Sequence, residues 1–319
     1  MKIIPLSIPT PFYIGDVNVY LIKEEPLTLI DTGPKTVEAE IVLREKLWRS
    51  GVKFSDIKRI VLTHTHDDHF GLAKKIREES NGAEIFVHRW ETGHLPGKAN
   101  GAEIDDLLVR AGVSKTIIET LQAIYKTSSQ FSDALNDGDF FELKDDAEIE
   151  FATGVLKVLH TPGHTPGSCC LLREANRTLM AGDTVLKRVT PNPIIAPDPF
   201  DKIKRFQSLG EYLVSLAKIK SYAPTLVYGG HFEPIEDFDE IFNRYVRSID
   251  DRQKKIIALV PDKGATAFEI AGRLFPAAMN DNFHRFLAIS ETVAHLDYAA
   301  SETKIAVELN DGAEVYRRF

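Results

Sequence analysis

The sequence predicts an α/β domain with helices covering its sheet faces, followed by a smaller module of helices and a β-hairpin. Three observations carry this prediction. Short β-branched runs alternate with amphipathic stretches up to about residue 240. Helical periodicity then takes over, and the chain closes on two strand-like runs around Asn310-Asp311-Gly312, a hairpin turn signal.

In order, residues 17–21, 27–31, 59–63, 84–88, 155–160, 168–173, 178–181 and 226–229 read as strands. Residues 36–50, 70–80 and 200–220 read as amphipathic helices. Two segments interrupt the rhythm. Residues 91–139 form a largely helical insertion that opens with Gly93, Pro96, Gly97 and Gly101. Its helix 114–125 places Ile117, Ile118, Leu121, Ile124 and Tyr125 on one face, and the segment is expected to cover the cleft and shape substrate choice. Residues 190–199 hold four prolines and must be an extended loop. In the tail, a helix over 238–259 stops before Pro261. Thr266 with Glu269 forms a capping box for a helix through Phe275, a third helix covers 283–300, and strands 304–309 and 313–317 make the hairpin. Three helices and a hairpin are the outline of a winged helix. The domains are therefore 1–240, containing the insertion, and 241–319.

The chemistry gathers at strand ends. In Ile60-Val-Leu-Thr-His64-Thr-His66-Asp-Asp68-His69 a strand ends and four metal-ligand side chains follow within six residues. Alternation on extended backbone turns His64 and His66 to one side, and the reversal into the next helix lets Asp68 and His69 face a second ion. A histidine-rich surface turn is the bland alternative, and ligands this closely spaced seldom arise that way. His164 follows a strand in a Pro/Gly turn, Asp183 lies in Met180-Ala-Gly-Asp-Thr184, and His231 in Tyr228-Gly-Gly-His231. Each alone is ambiguous; together they complete a set. His88 and His160 end strands near this set, whereas His94, His284 and His295 read as surface or core residues. The adjacent Cys169 and Cys170 read as packing residues on a strand.

The order H-x-H-x-D-H, then His, Asp and His, resembles the metallo-β-lactamase superfamily, in the hydrolase branch that includes glyoxalase II and tRNase Z. Gly15-Asp-Val-Asn18, Leu29-Ile-Asp31-Thr-Gly33 and Leu135-Asn-Asp-Gly138-Asp extend the resemblance over residues 1–240, insertion excepted. The tail is similar to the winged-helix extension of lactamase-like proteins such as a mitochondrial endoribonuclease. The resemblance implies a four-layer αβ/βα sandwich. It also implies two divalent ions, one on His64, His66 and His164 and the other on Asp68, His69 and His231, with Asp183 bridging. Asp68 and Asp183 are the carboxylates expected to act in catalysis. Asp31 is expected beside the site or closing a turn with Thr32 and Gly33. Imidazoles and carboxylates without thiolate suit zinc first, then iron or manganese.

Two such ions about 3.5–4 Å apart bring a bridging water toward neutral pKa, so the expected reaction is hydrolysis by the resulting hydroxide. Neither G-x-S-x-G nor a Walker A loop offers another route. Dinuclear zinc β-lactamases of the fold carry a cysteine where Asp183 stands, which argues against antibiotic hydrolysis. The tail is unlike that of glyoxalase II, so glutathione specificity does not carry over. An ester, thioester or lactone of a small metabolite is the first expectation. Single-stranded RNA is the alternative, a one-iron sulfur dioxygenase a minor one, and a non-catalytic binding protein the least expected.

The net charge of −8 gives no general affinity for polyanions. The tail from Ile241 to Phe319 has 11 Lys plus Arg and 11 Asp plus Glu, so it lacks the basic surplus that duplex DNA demands. It is expected to pack on the catalytic domain, build a homodimer interface or wall the cleft. Two cysteines, no signal-like start and no long apolar run lead us to expect a cytoplasmic protein with no membrane association.

Overall fold

The computed structural model describes residues 1–94, 101–136 and 138–319. Pro96, Gly97 and Asp137 therefore lie outside the described residues, as do the side chains of His94, Ile124 and Tyr125.

The chain opens with β1 (Ile3–Ile8), β2 (Val17–Ile22) and β3 (Thr28–Ile30), antiparallel neighbours. Helix α1 (Val37–Arg49) follows; its N-cap Thr36 accepts a hydrogen bond from the Ala39 amide, and Glu38 and Glu40 sit favourably at its positive end. Then come β4 (Arg59–Val61), α2 (Asp67–Phe70), α3 (Ala73–Glu79) and β5 (Glu84–His88). The insertion supplies α4 (Gly101–Arg110) and α5 (Lys115–Ser128) before β6 (Phe140–Leu143) returns to the sheet. Strands β3 to β6 are parallel, and the order is β1-β2-β3-β4-β5-β6.

The second sheet contains β7 (Glu148–Phe151), β8 (Gly154–His160), β9 (Cys169–Arg173) and β10 (Thr178–Gly182). Helix α6 (Ser208–Ser221) then crosses over to β11 (Leu226–Gly229), which pairs parallel to β10. Strand alternation builds the layers. Tyr20, Ile22, Val61, Leu171 and Met180 fill the space between the sheets. Their neighbours Val19, Leu21, Ile60 and Leu62 face Leu43, Leu47 and Ile76 of the helices on one outer side. Cys170, Leu172 and Leu179 face Leu209, Tyr212 and Leu216 on the other. This is the expected four-layer αβ/βα sandwich.

The tail comprises α7 (Phe238–Leu259), α8 (Ala267–Leu274), α9 (Asn282–Ser301) and the hairpin β12 (Ala306–Asn310) with β13 (Ala313–Arg317). The Thr266/Glu269 capping box is present, and Asp311-Gly312 turns the hairpin with positive φ at both residues. Helix α7 runs through the boundary drawn at residue 240. Its Phe238, Ile241, Tyr245 and Ile249 join the catalytic core, whereas its Ile256 and the following Val260 join the tail core. The insertion, expected to cover the cleft, lends its apolar face to the tail. Leu107, Leu108, Ile118 and Leu121 pack with Ile270, Ile289, Val293 and Leu296 of the tail, so this face serves as a partner for α8 and α9.

Other departures have local causes. Residues 200–207 are not helical, because Asp198 Oδ1 accepts from the amides of Phe200 and Asp201 and Pro197 bridges to Arg205. The helix expected over 70–80 breaks at Leu72, whose amide bonds Gly33 instead. The strands without a clear sequence signal, β1, β6 and β7, all lie at sheet edges, where a half-exposed pattern is weak.

Candidate metal centre

Each proposed ligand lies in a segment that follows a strand. His64 and His66 follow β4, and Asp68 and His69 lie in α2. His164 sits in the β8–β9 turn, Asp183 directly after β10, and His231 two residues after β11. The structure brings all seven together. Donor atoms of His64, His66 and His164, of His64, His69 and Asp183, and of Asp68, His69 and His231 lie within 4.8 Å of one another in each group. Gly230 makes this approach possible, since a Cβ there would stand 2.2 Å from Asp183 Oδ1 and 2.7 Å from His69 Cε1.

Imidazole orientation is fixed from outside. His69 Nδ1 donates to Asp31 Oδ2 (2.8 Å), His164 Nδ1 to the Asn192 carbonyl (2.9 Å) and His231 Nδ1 to the Asp16 carbonyl (2.8 Å). His64 Nδ1 donates to Thr63 Oγ1 (3.1 Å), whose own hydroxyl donates to Asp31 Oδ2 (2.8 Å). With Nδ1 as donor, Nε2 in each ring is left to turn a lone pair inward. His66 differs: its Nδ1 faces inward, 3.0 Å from both His64 Nε2 and His164 Nε2. Asp183 stands between the two groups. One oxygen lies 3.4 Å from His69 Nε2, and the other 3.6 Å from His231 Nε2 and 3.8 Å from His164 Nε2. Asp68 Oδ2 is 3.3 Å from His231 Nε2.

A divalent cation fits this donor set on two grounds. His69 Nε2, His231 Nε2 and Asp183 Oδ1 are buried without a hydrogen-bond partner, a costly arrangement for three converging polar atoms unless something else satisfies them. The donors are also imidazoles and carboxylates only, suited to borderline and hard divalent ions.

The electrostatics divide the site. Burial holds the His64 imidazole well below its usual pKa, with His69 and His66 adding repulsion. Burial, reinforced by His164, pushes His66 down to about 4, and burial lowers His164 too. In His69 and His231 burial acts in the same direction, but carboxylates outweigh it. Asp183, Asp68 and Asp31 raise His69 well above the ordinary range, and Asp183 and Asp68 raise His231. Reciprocally, burial opposes ionisation of Asp183, yet His231 and His69 hold it well below the carboxylate range; Asp68 is lowered as well.

Several residues support the site, and of these Tyr20, Glu91 and Asn192 carried no clear sequence signal. Asn192 belongs to the proline-rich loop, and its backbone rather than its side chain orients His164. Asn18 and Tyr20 bond carbonyls at Gly229 and Phe232, holding the His231 loop. Buried Glu91 accepts from Thr65 and Gly167. Asp31 lies beside the site, bonding Thr63 and His69 from a left-handed backbone conformation. His88 and His160 stack on each other with ring centroids 4.0 Å apart. They are outside the seven-residue cluster, and His160 Nε2 bonds the Pro166 carbonyl in the His164 turn. His295 is buried against Gln253, and His284 lies exposed beside Asp281. Cys169 and Cys170 are buried packing residues with burial-raised thiols.

The model of the metallo-beta-lactamase superfamily matches residues 13–231. The chain is 33% identical over 311 residues to the probable metallo-hydrolase YqjP of Bacillus subtilis (strain 168), covering 95% of this chain and 93% of that one. It is 24% identical over 270 residues to a beta-lactamase-like protein 2 homolog of Caenorhabditis elegans, covering 84% and 73%. Among solved structures, metallo-beta-lactamase family protein TTHA1429 of Thermus thermophilus superposes with a TM-score of 0.83 at 29% identity, over 99% of this chain and 98% of that one. A beta-lactamase domain protein of Burkholderia ambifaria shares the fold at a TM-score of 0.80 and 22% identity, over 99% and 92%. The chain belongs to the metallo-β-lactamase superfamily as a metallo-hydrolase.

Proposed function

We propose that the chain is a dinuclear metal-dependent hydrolase acting on an ester, thioester or lactone bond of a small metabolite. The observation that carries this is the convergence of His69 Nε2, His231 Nε2 and Asp183 Oδ1, buried without partners beside three inward-facing imidazole nitrogens. His64, His66 and His164 would hold one ion, Asp68, His69 and His231 the other, and Asp183 both; zinc is our first choice, with iron and manganese next. When bound, such ions supply Lewis-acid polarisation of the scissile group and lower the pKa of water. The chain's own groups do the rest. Asp68 would offer a carboxylate oxygen to take a proton from the attacking water. Asp31, Asn192 and Asp16 hold the imidazoles in one tautomer throughout.

The small-substrate reading draws on the tail. Helix α9, which occupies the recognition position in a winged-helix-like unit, packs against α7 and α8, and its middle stretch, residues 288–296, is largely buried. Its Asp297 pairs with buried Arg205 at 2.5 Å, so this helix offers no basic face to a polynucleotide. The tail serves as a packing partner of the catalytic domain. The test is a screen of the metal-loaded protein against thioesters, lactones, aryl esters, phosphodiesters and single-stranded RNA. We expect turnover of at least one acyl class, abolished by chelation and restored by metal. Turnover of RNA or phosphodiesters alone would replace this reading.

A further inference from the structure

We propose that Glu91 is a positioning residue that clamps the His64/His66 turn to the His164 loop and so sets the affinity of one of the two ions; this rests on the dinuclear reading above. Glu91 follows β5 at the start of the insertion, and only 1% of its surface is exposed. Its carboxylate stands outside the three donor groups described above. Oε2 accepts from the Thr65 amide (2.9 Å) and the Thr65 hydroxyl (2.7 Å), while Oε1 accepts from the Gly167 amide (2.7 Å). Thr65 lies between His64 and His66, and Gly167 is three residues past His164. One buried side chain therefore ties together the two backbone segments that carry His64, His66 and His164.

The fit is close on both sides. A Cβ on Gly167 would stand 2.7 Å from Glu91 Cγ and 2.8 Å from Oε1, so only glycine lets the carboxylate reach the amide. Both oxygens must be acceptors. A glutamine of the same shape would turn its NH2 toward either the Thr65 or the Gly167 amide, placing donor against donor. In the other ligand group His69 is held by Asp31, which also reaches His64 through Thr63, and His231 by the Asp16 carbonyl. Loss of the Glu91 clamp thus acts on one ion and spares the other.

The experiment is a competitive chelator titration of the full-length protein with Zn²⁺, resolving two dissociation constants, with Co²⁺ absorption spectra recorded in parallel. For Glu91→Gln we expect one ion to weaken roughly 10–100-fold, the range typical for loss of groups that orient ligands, and the second to stay within about threefold. Gly167→Ala keeps the carboxylate charge and pushes it off the amide. It should weaken the same ion, which separates positioning from mere loss of a negative charge. Lower thermal stability with both constants unchanged, or equal weakening of both ions, would overturn the inference while leaving the dinuclear site standing. Should Glu91→Gln not fold, Gly167→Ala decides the matter by the same criterion. A wild-type chain that binds no ion would remove the site reading and this inference together.

Discussion

The seven side chains of the site differ in how each takes up a proton, and this yields a pH dependence. His64, His66 and His164 are held below the ordinary imidazole pKa of 6.5 mainly by burial, so they are neutral and ready to ligate at pH 7. The carboxylates raise His69 and His231 above it, so these two hold their protons to higher pH than the other three. Cations and protons compete for the same lone pairs. Uptake of metal near neutral pH should therefore release protons. The ion on Asp68, His69 and His231 should be the first lost on acidification, its affinity rising with pH until both imidazoles are neutral. Titration in weak buffer checks this; uptake without proton release would contradict it. All seven candidates were legible in the sequence because imidazoles and carboxylates clustered after strand ends announce themselves by residue type. The groups that orient them were less so. Asn192 and Asp16 act through backbone carbonyls, which every residue possesses, and Glu91 is one glutamate among many until the fold places it.

Elements were legible where pattern and burial agree. Strands β5 and β11, helix α7 and the Thr266/Glu269 cap fall where periodicity and capping chemistry put them. Edge strands β1, β6 and β7 were not, since half their residues meet solvent and the apolar alternation fades. The insertion's amphipathic helix was found, but amphipathicity names a face and not its partner. In the fold that partner is the tail. Leu121, 1% exposed, lies in one core with Ile289 and Val293 of α9. Leu121→Asp should therefore cost about 4 kcal/mol or more, through a buried unpaired charge and lost packing, and leave KM little changed in the folded fraction. Denaturant unfolding together with substrate kinetics tests this. A large shift in KM without loss of stability would return the segment to a covering role.

At the scale of the whole molecule, the tail is bound to the catalytic domain by three kinds of contact. Helix α7 belongs to both cores, the insertion packs on α8 and α9, and buried Arg205 pairs with Asp297 at 2.5 Å and Glu314 at 2.7 Å, with Arg110 joining Glu314. Removing one partner of such a buried cluster leaves an uncompensated charge, so the module is held in a fixed place. Among the described residues no helix is long and apolar enough to cross a membrane. With the middle of α9 buried and the tail's charges balanced, the full chain should form no salt-sensitive, submicromolar complex with duplex DNA in a titration between about 50 and 200 mM salt. Such a complex would reassign the tail to nucleic-acid recognition. Helix order, the hairpin and the absence of a basic surplus could be read from sequence; the joining of α7, insertion and tail into one core could not, because it depends on contacts between segments far apart in the chain.

The central claim is that this one cluster holds two divalent cations and that hydrolysis depends on both. Its most direct test is metal content per chain by elemental mass spectrometry, after dialysis against excess Zn²⁺ and then against metal-free buffer, for the wild type and for Asp183→Ala. Asp183 lies 3.4 Å from His69 Nε2 and within 3.8 Å of His231 and His164, so its loss should loosen both ions. The account predicts two ions per wild-type chain, and fewer than one per Asp183→Ala chain together with loss of most hydrolysis. A wild-type chain that never exceeds one ion, or an Asp183→Ala chain that keeps two, would contradict it.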